Sequence, residues 1–84
     1  MNDKIKKGLA YRRIAGEVFI VNAAKAEMHE LNGTAALIWE GLAAGKTEKA
    51  IVSAIMSEFE IEEKTAGADL ESFRAELKKA GLLE

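Results

Sequence analysis

Apolar and polar residues follow a period of two over the first third of the chain and a period of 3.6 over the rest. Leu9 to Ala15 alternates, with Leu9, Tyr11 and Arg13 on one face and Ala10, Arg12 and Ile14 on the other. This predicts a first strand that Gly16 breaks with a turn. Glu17 to Asn22 is dense in β-branched and aromatic residues and predicts a second strand. It is short and apolar on both faces, so it belongs at the centre of a sheet with helices on at least one side. Ala26 to Leu31 alternates again, with acidic residues and no β-branched ones. A weak, charged, short strand belongs at a sheet edge. Residues 1–8 are polar and expected to be mobile.

The period changes at Leu31 to Trp39, Leu-Asn-Gly-Thr-Ala-Ala-Leu-Ile-Trp. Asn32 is a helix N-cap candidate, its side-chain oxygen placed to accept from an amide one turn in. The helix behind it runs over 33–44, is apolar at 35, 38, 39 and 42, and stops at Gly45. Thr47 caps a second helix over 48–59 with a stripe of Ile51, Val52, Ile55, Met56 and Phe59. A third helix over 62–80 is apolar at 66, 70, 73, 77 and 80. Glu62 and Glu63 at its start and Lys78 and Lys79 at its end suit the helix dipole. Gly81 ends it and leaves Leu82 and Leu83 to fold back on the core. The expectation is an α+β domain of three antiparallel strands followed by three helices.

Eighty-four residues form one domain, residues 1–84, with no room for a second core. A chain of this size buries roughly 60 % of its unfolded surface, so its stability margin is thin. The absence of cysteine excludes disulfides and thiolate metal sites. No segment approaches the run of about 20 apolar residues that crosses a membrane, and the basic N-terminus lacks the apolar stretch of a signal peptide. A cytoplasmic protein is expected. Net charge is −2, distributed as +4 on the first thirteen residues and −6 on the remainder. The excess reflects either a solvated, charged edge strand or a surface that steers an acidic partner.

Catalytic chemistry is poorly supplied. His29 is the only histidine, and Glu27 shares its strand face, but general-base catalysis needs a nucleophile that the sequence does not offer. No spacing of metal-ligand type occurs, and the glycines are scattered singly without a phosphate-cradling loop. No cofactor is implied. Trp39, Met28 and Met56 lie at positions that suit packing. Binding is left as the function.

Several motifs in order resemble the coenzyme PQQ synthesis protein D (PqqD) family. His29-Glu30-Leu31-Asn32-Gly33-Thr34-Ala35-Ala36-Leu37-Ile38-Trp39 is similar to its Leu-Asn-x-Thr-Ala-x-x-Ile-Trp hallmark. Gly45-x-Thr47, Phe59-x-Ile61, Asp69-Leu70-x-x-Phe73 and Gly81-Leu82-Leu83 resemble its later motifs, so the likeness covers nearly the whole chain. The resemblance implies a small winged helix-turn-helix-like fold and a RiPP recognition element, a non-catalytic peptide chaperone. Such a domain binds the leader segment of a ribosomally made precursor peptide and presents it to a modifying enzyme, often a radical S-adenosylmethionine (radical SAM) protein. The leader adds as a strand beside the third strand, in a groove closed by the third helix. Carried to this chain, the template is Ala26, Glu27, Met28, His29, Glu30 and Leu31, and the wall is Leu70, Phe73, Arg74, Leu77 and Lys78. Leu70, Phe73 and Leu77 also have perfect core spacing, and Arg74 and Lys78 stand among Asp69, Glu71 and Glu76 at pairing distance.

Two other readings compete. A winged-helix fold invites DNA binding, but residues 62–84 hold six acidic residues against four basic, which repels phosphate. An exposed edge strand also invites a homodimer by pairing with its own copy.

Overall fold

Val18 and Ile20 of the central strand are wholly buried because helices cover one face of the sheet and not the other. The structure, a computed structural model, describes residues 4–84. β1 (Leu9–Ile14), β2 (Glu17–Asn22) and β3 (Glu27–Asn32) form an antiparallel sheet in the order β1-β2-β3. α1 (Gly33–Ala43), α2 (Glu48–Phe59) and α3 (Glu63–Lys79) follow. β2 is central, as its double apolar face requires.

The register fixes two faces. Three rows point toward the helices: Leu9–Asn22–Glu27, Tyr11–Ile20–His29 and Arg13–Val18–Leu31. Beneath them lie Ile38, Trp39, Ile51, Ile55 and Leu70, all essentially without exposed surface. Tyr11 meets Trp39 edge to face, with ring centroids 5.7 Å apart at 86°. Trp39 is therefore core packing. Arg13 forks onto Glu40, donating from Nε to Oε2 at 2.8 Å and from a terminal nitrogen to Oε1, and so ties β1 to α1. That hydrogen bond and charge hold the Glu40 carboxyl below the usual carboxylate range.

Glycines end two of the helices. Gly45 (φ +73°) lets Lys46 N donate to Gly41 O at 2.9 Å, and Gly81 (φ +77°) lets Leu82 N donate to Leu77 O at 2.9 Å. The second turn sends Leu82 and Leu83 back into the core, 2 % and 8 % exposed. Thr47 Oγ1 accepts from Ala50 N at 3.1 Å and caps α2 as expected. Asn32 occupies the N-cap position of α1, but its side chain makes no capping hydrogen bond. Within α1 it is Ala36, not Ala35, that is buried beside Ile38, Trp39 and Leu42. Phe59, expected in the α2 stripe, keeps 37 % of its surface exposed because the helix ends there, with Glu60 left-handed at φ 52°.

The hairpin turn also departs from the simplest reading. β1 ends at Ile14, and the positive φ falls on Ala15 (59°) rather than on Gly16. Of the eight residues expected to be mobile, 1–3 lie outside the described residues. Residues 4–6 are tied down: Ile5 pairs with Leu83, Lys6 N donates to Leu82 O at 2.9 Å, and Glu84 N donates to Lys4 O at 2.7 Å. Among the described residues no helix is long and apolar enough to cross a membrane.

Candidate functional site

β3 pairs with β2 on one side, and no other described strand pairs with its far side. In an antiparallel ladder every second residue of such a strand turns its amide and carbonyl away from its neighbour. Those groups are free to bond a further extended chain, and the exposed character of β3 leaves them open.

α3 comes near β3 at both ends of the strand, and the order of those two approaches makes it antiparallel to β3. At one end Lys25, in the turn before β3, brings its Nζ so close to Gly81 that a Cβ there would sit 3.2 Å from it. At the other end Asp69, Ser72, Phe73 and Glu76 of α3 face Thr34 and Ala35, in the first turn of α1, across a cleft of about 260 Å³. Since α1 continues directly from β3, this cleft lies at the C-terminal end of β3.

The structure sorts the anticipated residues. Glu27, Met28, His29, Glu30 and Leu31 lie on β3. Ala26 does not. It closes the 3-10 turn Ala23–Lys25 in a left-handed conformation (φ 54°), its N–H donating to Ala23 O at 3.2 Å. Asn22 Oδ1 accepts from Lys25 N at 3.4 Å and sets up that turn, and the strand instead extends one residue further, to Asn32. Met28 and Glu30 point to the outer face, while Glu27, His29 and Leu31 point to the helix side.

On α3, Phe73 is half-buried and lines the cleft. Leu70 and Leu77 are 0 % and 2 % exposed, so they belong to the core and present no surface of their own. Arg74 is turned the other way. Its guanidinium lies 2.8 Å from Glu71 and 3.6 Å from Glu48, against α2. Lys78, exposed and one turn further along, shares that flank. Asp69, Ser72 and Glu76 were not anticipated. They occupy the opposite flank of the core stripe at i, i+3 and i+7, a phase visible in the sequence. What the sequence lacks is which flank faces β3.

His29 Nε2 is buried without a hydrogen-bond partner and lies 3.7 Å from Glu27 Oε1, beyond bonding reach. This pair is an edge feature with no nucleophile described beside it. Among the described residues no group of three His, Cys, Asp or Glu side chains could hold a metal ion.

The profile of the family described as coenzyme PQQ synthesis protein D (PqqD) matches residues 17–83. The chain belongs to the PqqD family. Two solved structures share the fold of this PqqD-family domain. TbiB1 in complex with the TbiA(beta) leader peptide is 30 % identical, with a TM-score of 0.88 over 96 % of this chain and 94 % of that one. Lasso peptide synthetase B1 complexed with the leader peptide is 23 % identical, with a TM-score of 0.89 over 100 % and 99 %. The second likeness speaks for the fold alone. Curated protein sequences give no significant match.

Proposed function

We propose that this PqqD-family domain binds the leader segment of a ribosomally made precursor peptide and presents it to a peptide-modifying enzyme, without catalysing a reaction itself. The observation that carries the reading is the open edge of β3 beside α3, in a chain that matches a leader-bound relative over nearly its full length. An extended peptide adding to that edge gains main-chain hydrogen bonds that ask little of its sequence. Selectivity then comes from the side chains it places in the groove.

The binding residues proposed are Glu27 to Leu31 for the template and Phe73 for the wall, with Asp69, Ser72 and Glu76 beside it. Leu70 and Leu77 act from beneath by holding α3 in place. Residues 1–84 are read as one peptide-binding domain acting in the cytoplasm, where ribosomal peptides are made. The partner is a peptide-modifying enzyme of the radical SAM type or another class.

A ¹⁵N-edited titration with a synthetic leader peptide tests the proposal. Amide shifts should concentrate on Glu27 to Asn32 and on Thr34, Ala35 and the 69–76 segment of α3. Shifts confined to Lys4 to Arg13 would point to electrostatic docking there instead and would sink the strand-addition reading. A salt-dependent gel shift on random duplex should be negative, since the acidic third helix repels phosphate.

A further inference from the structure

Among the described residues, no element covers the face of the sheet turned away from the helices. Its three rows are Ala10–Val21–Met28, Arg12–Phe19–Glu30 and Ile14–Glu17–Asn32. Among the described residues five large apolar side chains are markedly exposed, and three of them stand here: Ile14 at 52 %, Val21 at 42 % and Met28 at 69 %. With Phe19 and Ala10 they line a shallow apolar trough across all three strands. A patch of this kind on a small domain marks an interaction surface.

The charges on this face identify the occupant. Arg12 lies at one side of the middle row and makes no hydrogen bond or ion pair among the described residues. Glu30 lies at the other side, with Phe19 between them. Glu17 stands diagonally from Glu30 on the same face, and the hydrogen-bonding and charge of that neighbouring carboxyl raise the Glu17 pKa. One side of the face therefore lacks an anion and the other lacks a cation.

We propose that this face joins two copies of the chain, packed sheet on sheet about a twofold axis running along β2, with Arg12 of each copy against Glu30 of the other. A twofold interface must be self-complementary, so that when one residue meets a second, the second also meets the first. Rotation about β2 satisfies this: it brings β1 of one copy over β3 of the other, forming two Arg12–Glu30 pairs. Phe19 meets Phe19, Val21 meets Val21, and Ala10 meets Met28, the small residue opposite the long one. A twofold across the strands would instead set Arg12 on Arg12. The unfavourable contact is Glu17 on Glu17 at one end of the axis, where the raised Glu17 pKa makes its neutralisation easier. The sheets then lie in the aligned class, about 10 Å apart.

Three strands six residues long give a face of roughly 15 by 20 Å, so the pair buries on the order of 600 Å² in total, below the range of permanent interfaces. The dimer is consequently weak and concentration-dependent. It leaves the far edge of β3 open on both copies, unlike a dimer formed by edge pairing.

Sedimentation velocity on the full chain over rising concentration tests the proposal. The wild type should show a reversible monomer–dimer equilibrium, and Met28→Lys should abolish it. R12E and E30R each set like charges in both pairs and should weaken association about tenfold or more, a loss near 1.4 kcal/mol in total. The double variant R12E/E30R rebuilds both pairs and should return to near the wild-type constant. All these positions are exposed, and circular dichroism checks that each variant keeps its fold. A wild type monomeric at every concentration would overturn the proposal, as would a double variant no tighter than the single ones. Dimers that dissociate when a leader peptide is added would also overturn it, because they would place the contact at the β3 edge.

Discussion

Gly41 sits where α1 crosses α2, and a methyl group there has nowhere to go. An added Cβ would lie 2.7 Å from Ile51 Cγ1 and 3.1 Å from Ile51 Cδ1. Ile51 is 1 % exposed, so its side chain cannot swing into solvent. Gly41→Ala thus sets two opposing effects against each other. Helix propensity favours alanine by about 1 kcal/mol, whereas forcing a carbon into a filled core costs about 1–3 kcal/mol. The close contact falls on the γ-carbon near the backbone, not on a flexible tip, so the cost lies toward the upper end. The net expectation is a loss of about 1–2 kcal/mol, or a fall in Tm of about 5–10 °C for a domain of this size. Urea unfolding of four proteins isolates the cause: wild type, Gly41→Ala, Ile51→Ala and the double variant. Ile51→Ala removes the clashing atoms, so adding Gly41→Ala to it should stabilise by about 1 kcal/mol, a coupling of about 2–3 kcal/mol between the sites. If Gly41→Ala stabilises the wild type, or costs the same in both backgrounds, the close helix crossing is refuted.

Other expectations follow from the turns, the ion pairs and the groove. Ala15→Gly relieves a left-handed alanine at the hairpin and should raise stability by up to about 1 kcal/mol in the same unfolding assay. Thr47→Ala removes the α2 cap and should cost about 1 kcal/mol. Because Arg13 holds the Glu40 carboxyl below its ordinary pKa, the pair stabilises the fold above the usual carboxylate range and loses that contribution as pH falls through the lowered value. Arg13→Ala should therefore flatten the fall of Tm on acidification, by a small amount because both side chains are substantially exposed. Phe73→Ala should weaken leader-peptide binding about tenfold by fluorescence anisotropy, whereas Arg74→Ala, on the α2 side, should leave it within about twofold.

Much of the fold was legible because its signals are local. The density of β-branched residues in Glu17–Asn22 and the helical spacing from Ala66 to Ala80 each specify an element without reference to the rest. Gly45 and Gly81 behave as helix stops for the same reason. Ala26 misled because it alternates in phase with Met28, while the 3-10 turn that claims it depends on a hydrogen bond from Lys25 to Asn22. Arg74 stood open to two readings, a contact to the leader or a pair within its own helix, and the structure shows the pair with Glu71 at 2.8 Å. Spacing placed it at the rim of the core stripe, but which rim meets β3 and which meets α2 is decided by how the helices cross. Glu48, which draws Arg74 to the α2 side, lies 26 positions away in the chain. The edge itself could be anticipated from the weakness of the β3 sequence, whereas its flanking cleft depends on tertiary placement.

The hydrogen bond from Glu84 to Lys4 brings two distant stretches of the chain side by side. The same adjacency suits insertion of the domain into a loop of a larger enzyme, with both connections leaving from one spot. A fused arrangement of that kind would turn an encounter in solution into a tethered one, raising the local concentration of captured peptide at the catalytic partner.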